Sequence, residues 1–145
     1  MTKKVDPRMH SAEHILNQTM VRMFNCGRCI SAHIEKKKSK CDYQFNRNLT
    51  KQDVEQIDKQ VNEVIRTNAP ITEEWISRAE AAERYQLNRL PSAVGDKIRI
   101  VKVGNYDACP CIGPHIGSTA DIGQFRISTT SYEDGILRIR FKLAR

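Results

Sequence analysis

The spacing of apolar residues changes along this chain, and that change limits the folds available to it. Between residues 54 and 65, apolar side chains recur at intervals of three and four, as on one face of an amphipathic helix. Residues 136–143 instead alternate apolar and basic side chains, which is the period of a strand with one buried face. The chain must therefore bury helices against a sheet.

Helix boundaries carry signals of their own. Residues 8–24 show a second apolar stripe with helical spacing. Thr50 and Asp53 have the spacing of a capping box in front of the 54–65 stripe, and this helix should end near residue 68. Residues 77–85 begin with a serine suited to an N-cap, which predicts a third, shorter helix.

Short runs rich in β-branched and aromatic residues predict the strands. They cover residues 30–34, 41–45, 71–76, 97–103, 122–129 and 136–143. A Pro-Ser pair at residues 91 and 92 predicts a turn. We therefore expect a single α+β domain spanning residues 1–145, with a mainly antiparallel sheet and helices packed against it.

The charge balance favours an anionic partner. Lys and Arg outnumber Asp and Glu by 24 to 17, which gives a formal net charge of +7, and nucleic acid is the first candidate. The sequence has no apolar run of membrane-spanning length, and its first residues lack the apolar core of a secretory signal. We expect a cytoplasmic protein with no membrane partner.

Two short segments offer ligands for a metal ion. His10 and His14 lie four residues apart on a predicted helix, so their rings share one side. Cys111 and His115 flank a turn that contains glycine and proline. Imidazole and thiolate donors together form a set that zinc favours in tetrahedral coordination.

Other combinations of these residues stay open. Cys109 is a rival to Cys111 as the thiolate ligand, and the C-x-x-C pair of Cys26 and Cys29 could join both in a zinc ribbon. Residues 10–14 also match the H-x-x-E-H pattern of inverted zinc peptidases, in which Glu13 would be the general base. Such a peptidase would need a separate acidic ligand.

The chain resembles a known family. The H-x-x-x-H of the first helix, the late C-x-x-x-H and the turn at residues 117–123 are similar to those of the alanyl-tRNA editing domain. That domain occurs within alanyl-tRNA synthetase, with a related fold in threonyl-tRNA synthetase, and as free-standing proteins, whose size this chain matches. Residues 45–47, 68–71 and 98–101 extend the resemblance. The family form C-G-G-T-H is replaced here, with Ile112 for a glycine and Pro114 for the threonine.

The resemblance implies a zinc-dependent hydrolase that removes serine or glycine from mischarged alanine tRNA. It implies one zinc ion per chain, held by His10, His14, Cys111 and His115. Four protein ligands would close the site, so either His115 is a loose ligand or a base, or zinc only shapes the pocket. A binding or regulatory module that has lost activity is the alternative, because Ile112 and Pro114 alter the pocket.

Further residues are expected to contact the substrate, and Glu13 is a second catalytic candidate beside His115. Cys29 and Ser31 are candidates for a wall that recognises the serine hydroxyl, because a pocket built for a hydroxyl discriminates against its absence. Basic residues are candidates for phosphate contacts, which would make tRNA binding sensitive to salt. They are Lys36, Lys37, Lys38, Lys40, Arg138 and Arg140.

Overall fold

A computed structural model of the protein describes residues 5–87, 90 and 95–144. The turn predicted at residues 91 and 92 lies outside this part of the chain. The described elements follow in the order α1 (Pro7–Phe24), β1 (Ser31–His33), β2 (Ser39–Gln44), α2 (Lys51–Arg66), β3 (Ile71–Ser77), α3 (Arg78–Arg84), β4 (Lys97–Val103), β5 (Asp107–Pro110), a 3-10 turn (Thr119–Ile122), β6 (Gln124–Glu133) and β7 (Ile136–Ala144).

The helices begin and end where local chemistry predicts. The Asp6 carboxylate accepts a hydrogen bond from the backbone N–H of Met9 and caps α1. The predicted capping box of Thr50 and Asp53 opens α2, with both reciprocal hydrogen bonds present. The third helix is capped by Ser77, as predicted. The α+β class is confirmed.

Antiparallel pairing organises the strands into two sheets. A four-stranded sheet has the order β1-β2-β7-β6, and a three-stranded sheet has the order β3-β4-β5. Strand β5 escaped prediction, because its sequence, Asp-Ala-Cys-Pro, contains no β-branched or aromatic residue. Strand β6 begins two residues later than predicted, since the preceding segment forms the 3-10 turn.

The last strand shows why the larger sheet has a buried and an outer face. Leu137, Ile139 and Phe141 are fully buried, whereas Arg138 and Arg140 point to the opposite side and are partly exposed. Helices α1 and α2 cover the buried face. The resulting core joins side chains from both helices and four strands, among them Ile15, Leu16, Ile57, Val61, Tyr43, Val103, Phe125 and Phe141.

The smaller sheet is covered differently on its two faces. Ile98 and Ile100 of β4 pack with Ala81 of α3 in a small separate core. Val103 faces the other way and joins the main core, where β5 contacts α1. This placement brings the end of β5 and the residues after it against α1. None of the described helices is long and apolar enough to cross a membrane.

Asn62 connects α2 to the start of β6. Its side chain donates to the carbonyl of Phe125 at 2.9 Å and accepts from the N–H of the same residue at 2.8 Å. We expect Asn62→Ala to lower the free energy of unfolding by about 1–3 kcal/mol, because two backbone groups lose their partner. Urea denaturation measures this.

Glu63→Ala is the matched control, since Glu63 is the next residue of α2 and is exposed. Its effect should stay within about 0.5 kcal/mol. An Asn62→Ala protein as stable as this control would show that the link to β6 contributes little.

Candidate metal centre

The two predicted segments meet, and their four side chains form one cluster. The ligand atoms of His10, His14, Cys111 and His115 all lie within 4.8 Å of one another. The Sγ of Cys111 is 3.4 Å from Nε2 of His10 and 3.5 Å from Nε2 of His115. Tetrahedral zinc, with bonds of about 2.0–2.3 Å, separates its ligand atoms by about 3.3–3.8 Å. The donors and their spacing therefore fit a zinc ion.

The outer nitrogens of two rings are held by fixed partners. Nδ1 of His10 lies 3.0 Å from the carbonyl oxygen of Pro114, and Nδ1 of His115 lies 2.9 Å from the hydroxyl of Ser11. In both rings Nε2 is then the nitrogen directed at Cys111. Histidines that ligate metals are commonly oriented by a hydrogen bond at the other nitrogen. This pattern is a second feature typical of a metal centre.

His14 contacts Cys109 and lies near a buried ion pair. Its Nδ1 lies 3.7 Å from the Asp107 carboxylate and 3.4 Å from Sγ of Cys109. Arg28 donates to both oxygens of that carboxylate, at 2.7 and 3.2 Å, and also to the Cys109 sulfur at 3.3 Å. Burial raises the pKa of the Cys109 thiol. Cys109 therefore lies beside the cluster, while Cys111 lies within it.

Arg99 and Gly113 shape the turn after β5. The Arg99 side chain donates to the carbonyls of Cys111 and Gly113, at 3.2 and 2.7 Å. A Cβ on Gly113 would lie 2.3 Å from Cε1 of His10, so a larger residue would clash with this ring.

Two side chains of the cluster have shifted pKa values. Burial raises the pKa of the Cys111 thiol. Burial, followed by the charge of His10, lowers the pKa of His115 to about 3. A metal would therefore have to displace the thiol proton of Cys111, whereas the His115 ring carries no competing proton at neutral pH.

Glu13 lies between the cluster and the core. Its Oε2 accepts hydrogen bonds from the Asn17 amide at 3.0 Å and the Cys29 thiol at 3.4 Å. Its Oε1 is 3.6 Å from Nε2 of His10. Asn17 is itself held by the hydroxyl of Tyr43 and the backbone N–H of Cys29. The carboxylate is thus buried in a polar network that reaches the candidate metal centre.

Two of the alternative metal sites do not match this arrangement. Within the described residues Cys26 joins no ligand cluster, and its thiol donates to the backbone carbonyl of Met20. The zinc ribbon hypothesis is therefore wrong. The cluster that contains both His10 and His14 is completed by Cys111 and His115, whereas the peptidase pattern requires an acidic ligand. The nearby carboxylate of Asp107 groups with His14 and Cys109 and not with His10.

The other expected contact residues are spread around this centre and the outer sheet face. Cys29 lies beside Glu13, but the Ser31 hydroxyl is exposed and donates to Asp42 of the neighbouring strand. Arg138 donates to both oxygens of Asp42, and this interaction is the main cause of the lowered pKa of Asp42. Lys40 lies opposite Arg140 on that face. Lys36, Lys37 and Lys38 are exposed in the β1–β2 turn.

Several residues of the centre went unnoticed in the sequence. A role for Ser11 could have been predicted, because it lies between His10 and His14 on the same helix. Arg28, Arg99 and Asp107 carry no local signal, since their partners lie 12 or more residues away along the chain.

A family of known proteins matches the part of the chain that contains Cys111 and His115. Residues 98–140, which include β4, the cluster turn and most of β7, match the family described as the second additional domain of threonyl and alanyl tRNA synthetases. This match relates the region around the cluster turn to a class of domain associated with synthetases.

Relatives indicate the alanyl branch of the class. The alanine–tRNA ligase of Aeropyrum pernix is 31% identical over 140 residues, covering 92% of this chain and 15% of the ligase. Those of Archaeoglobus fulgidus and Fervidobacterium nodosum are 33% and 30% identical, over 92% and 94% of the chain. The chain spans 15% to 16% of the length of these relatives. The predicted resemblance to the alanyl-tRNA editing domain is confirmed.

Gly113→Ala tests the geometry of the cluster. The added Cβ would push the His10 ring away from the other three donors, so zinc affinity should fall by roughly tenfold or more. Competition with a chromophoric chelator measures the affinity, and circular dichroism monitors the fold.

Gly117→Ala is the matched control, because a Cβ there meets nothing within 4 Å. Its zinc affinity should equal that of the unmodified chain. Equal affinities of the two variants would contradict the assigned cluster.

Proposed function

We propose that this chain is an aminoacyl-tRNA deacylase that hydrolyses seryl or glycyl esters from mischarged alanine tRNA. The observation that carries the proposal is the tight cluster of His10, His14, Cys111 and His115. It gains weight because the cluster occurs in a chain similar over 92% of its length to alanine–tRNA ligases. We further propose that residues 1–145 form one editing-like domain with one zinc ion.

Zinc held by all four ligands would have no open position for water, so its proposed part is to shape the pocket and help to position the substrate ester. The protein's part is to hold the donors in place. Both ring nitrogens of His115 face fixed groups, Ser11 on one side and Cys111 on the other, so His115 fits a ligand better than a general base. Glu13, with Oε1 3.6 Å from His10, is the proposed proton acceptor.

Amino-acid selectivity is proposed to arise around the Cys111–His115 turn. Ile112 has 61% of its surface exposed, so it lies at the mouth of the centre rather than inside it. Cys29, buried beside Glu13, stays a candidate for the wall that senses the serine hydroxyl. Ser31 is a weaker candidate, since its described contact is with Asp42 on the outer sheet face.

A tRNA-binding module without hydrolytic activity is the second candidate. Ile112 and Pro114 favour it, because they replace the glycine and threonine of the family motif next to two ligands. This alternative keeps the zinc cluster and the RNA partner and removes only the reaction, so a direct assay separates the two functions.

The deacylation assay uses alanine tRNA charged with serine or with alanine. We expect the chain to release serine much faster than alanine, and a strong chelator to abolish release. His14→Ala should reduce the rate by roughly tenfold or more, because it removes one ligand.

His33→Ala is the matched control, since His33 is exposed on β1 and lies in no ligand cluster of the described residues. It should retain the full rate. Firm tRNA binding without deacylation would support the binding module, and a fully active His14→Ala protein would contradict the metal site.

The basic residues of the β1–β2 turn and the outer sheet face are proposed to contact tRNA phosphates. Lys37→Ala should weaken tRNA binding and reduce the slope of log affinity against log salt by about one, if Lys37 neutralises one phosphate. Lys59→Ala, on the exposed side of α2, should leave the slope unchanged. Equal slopes for both variants would remove this turn from the RNA interface.

A further inference from the structure

The only tryptophan of the chain lies on β3 and is largely exposed. Trp75 has 58% of its surface accessible, although a tryptophan usually buries most of its large apolar area. An exposed aromatic ring offers a flat face on which a nucleobase can stack.

Strand register connects Trp75 to the candidate metal centre. Trp75 lies opposite Arg99 of β4, and the backbone carbonyl of Arg99 accepts a hydrogen bond from the N–H of Cys111. Residues directly opposite one another in an antiparallel sheet share a face. The row Trp75, Arg99 and Cys111 therefore crosses one face of the smaller sheet and ends at a proposed zinc ligand.

In the part of the chain that the structure describes, the Trp75 end of this face is exposed. Helix α3 packs on the opposite face, against Ile98 and Ile100. Lys97 precedes Arg99 by two residues on β4, so it shares the face of Trp75, and it is exposed. We call the group formed by Trp75, Lys97 and Arg99 the Trp75 platform.

We propose that the Trp75 platform binds the single-stranded 3′ end of the RNA substrate, with a base stacked on Trp75. This inference rests on the proposed function. Two strand spacings, about 10 Å in total, separate Trp75 from Cys111 across the sheet. Stacked nucleotides advance by about 3.4 Å each, so the stacked base lies within roughly the last three nucleotides when the terminal ribose reaches the centre.

We expect base stacking to contribute more than charge to RNA binding at the Trp75 platform. Glu73 is ion-paired with Arg99 and offsets part of its charge. Among the described residues of the platform, Lys97 is then the exposed cation. Recognition by stacking tolerates different bases but requires them to be unpaired. The platform should therefore distinguish a single-stranded end from a blunt one.

The fluorescence of Trp75 reports binding directly, because no other tryptophan is present. The full chain is titrated with an uncharged RNA hairpin that ends in a single-stranded 3′ CCA, and separately with the same hairpin made blunt. We expect quenching by the CCA hairpin alone. Equal quenching by both hairpins, or by neither, would overturn the proposal.

Variants are compared by anisotropy of labelled hairpins. Trp75→Ala should weaken binding of the CCA hairpin by roughly tenfold, whereas Trp75→Phe should keep most of the affinity. Met23→Ala, at an exposed apolar position near the end of α1, is the control and should bind normally. A Trp75→Ala protein that binds as tightly as this control overturns the platform.

Other outcomes separate the platform from competing interpretations. A fluorescence change that depends on protein concentration without RNA, together with a dimer in sedimentation, would assign Trp75 to self-association and overturn the proposal. Deacylation without CCA-specific quenching removes the platform and leaves the proposed function intact. CCA-specific quenching without deacylation supports the platform and removes the hydrolase.

Discussion

Helix α1 buries an unusual number of polar side chains, and the rest of the structure supplies their partners. His10, Ser11, Glu13, His14 and Asn17 are all buried. A buried polar group without a hydrogen bond costs free energy, so each must meet a donor or acceptor from elsewhere. These partners come from the segments before β1 and after β4 and from β2. Docking of α1 thus fixes where those segments run.

Two polar layers result from this requirement. In the inner layer, imidazole nitrogens converge on the Cys111 sulfur. In the outer layer, a backbone carbonyl, a hydroxyl and the Cys109 sulfur contact the far sides of the rings, and the Asp107 carboxylate lies near the third ring. The groups of the outer layer belong to the protein itself, so they would help to hold the donor rings in position for a metal. Such preorganisation lowers the conformational entropy that metal binding would otherwise cost.

Sequence reasoning identified the parts of the molecule that depend on local periodicity. The spacing of His10 and His14 is a property of one helix, and the alternation of β7 is a property of one strand. Each pattern could therefore be read from a short stretch of sequence. Strand β5 lacks propensity and exists because β4 and α1 enclose it, so no local pattern predicted it. The Arg28–Asp107 ion pair joins residues 79 positions apart, and only the tertiary structure brings them together.

The register of the larger sheet carries an electrostatic cost. Lys40 lies directly opposite Arg140. Like charges facing each other across strands destabilise a sheet. A polyanion bound over this face would relieve the repulsion and thereby stabilise the folded state, since a ligand that prefers the folded chain shifts the unfolding equilibrium. The outer face would then couple folding stability to occupancy by the polyanion.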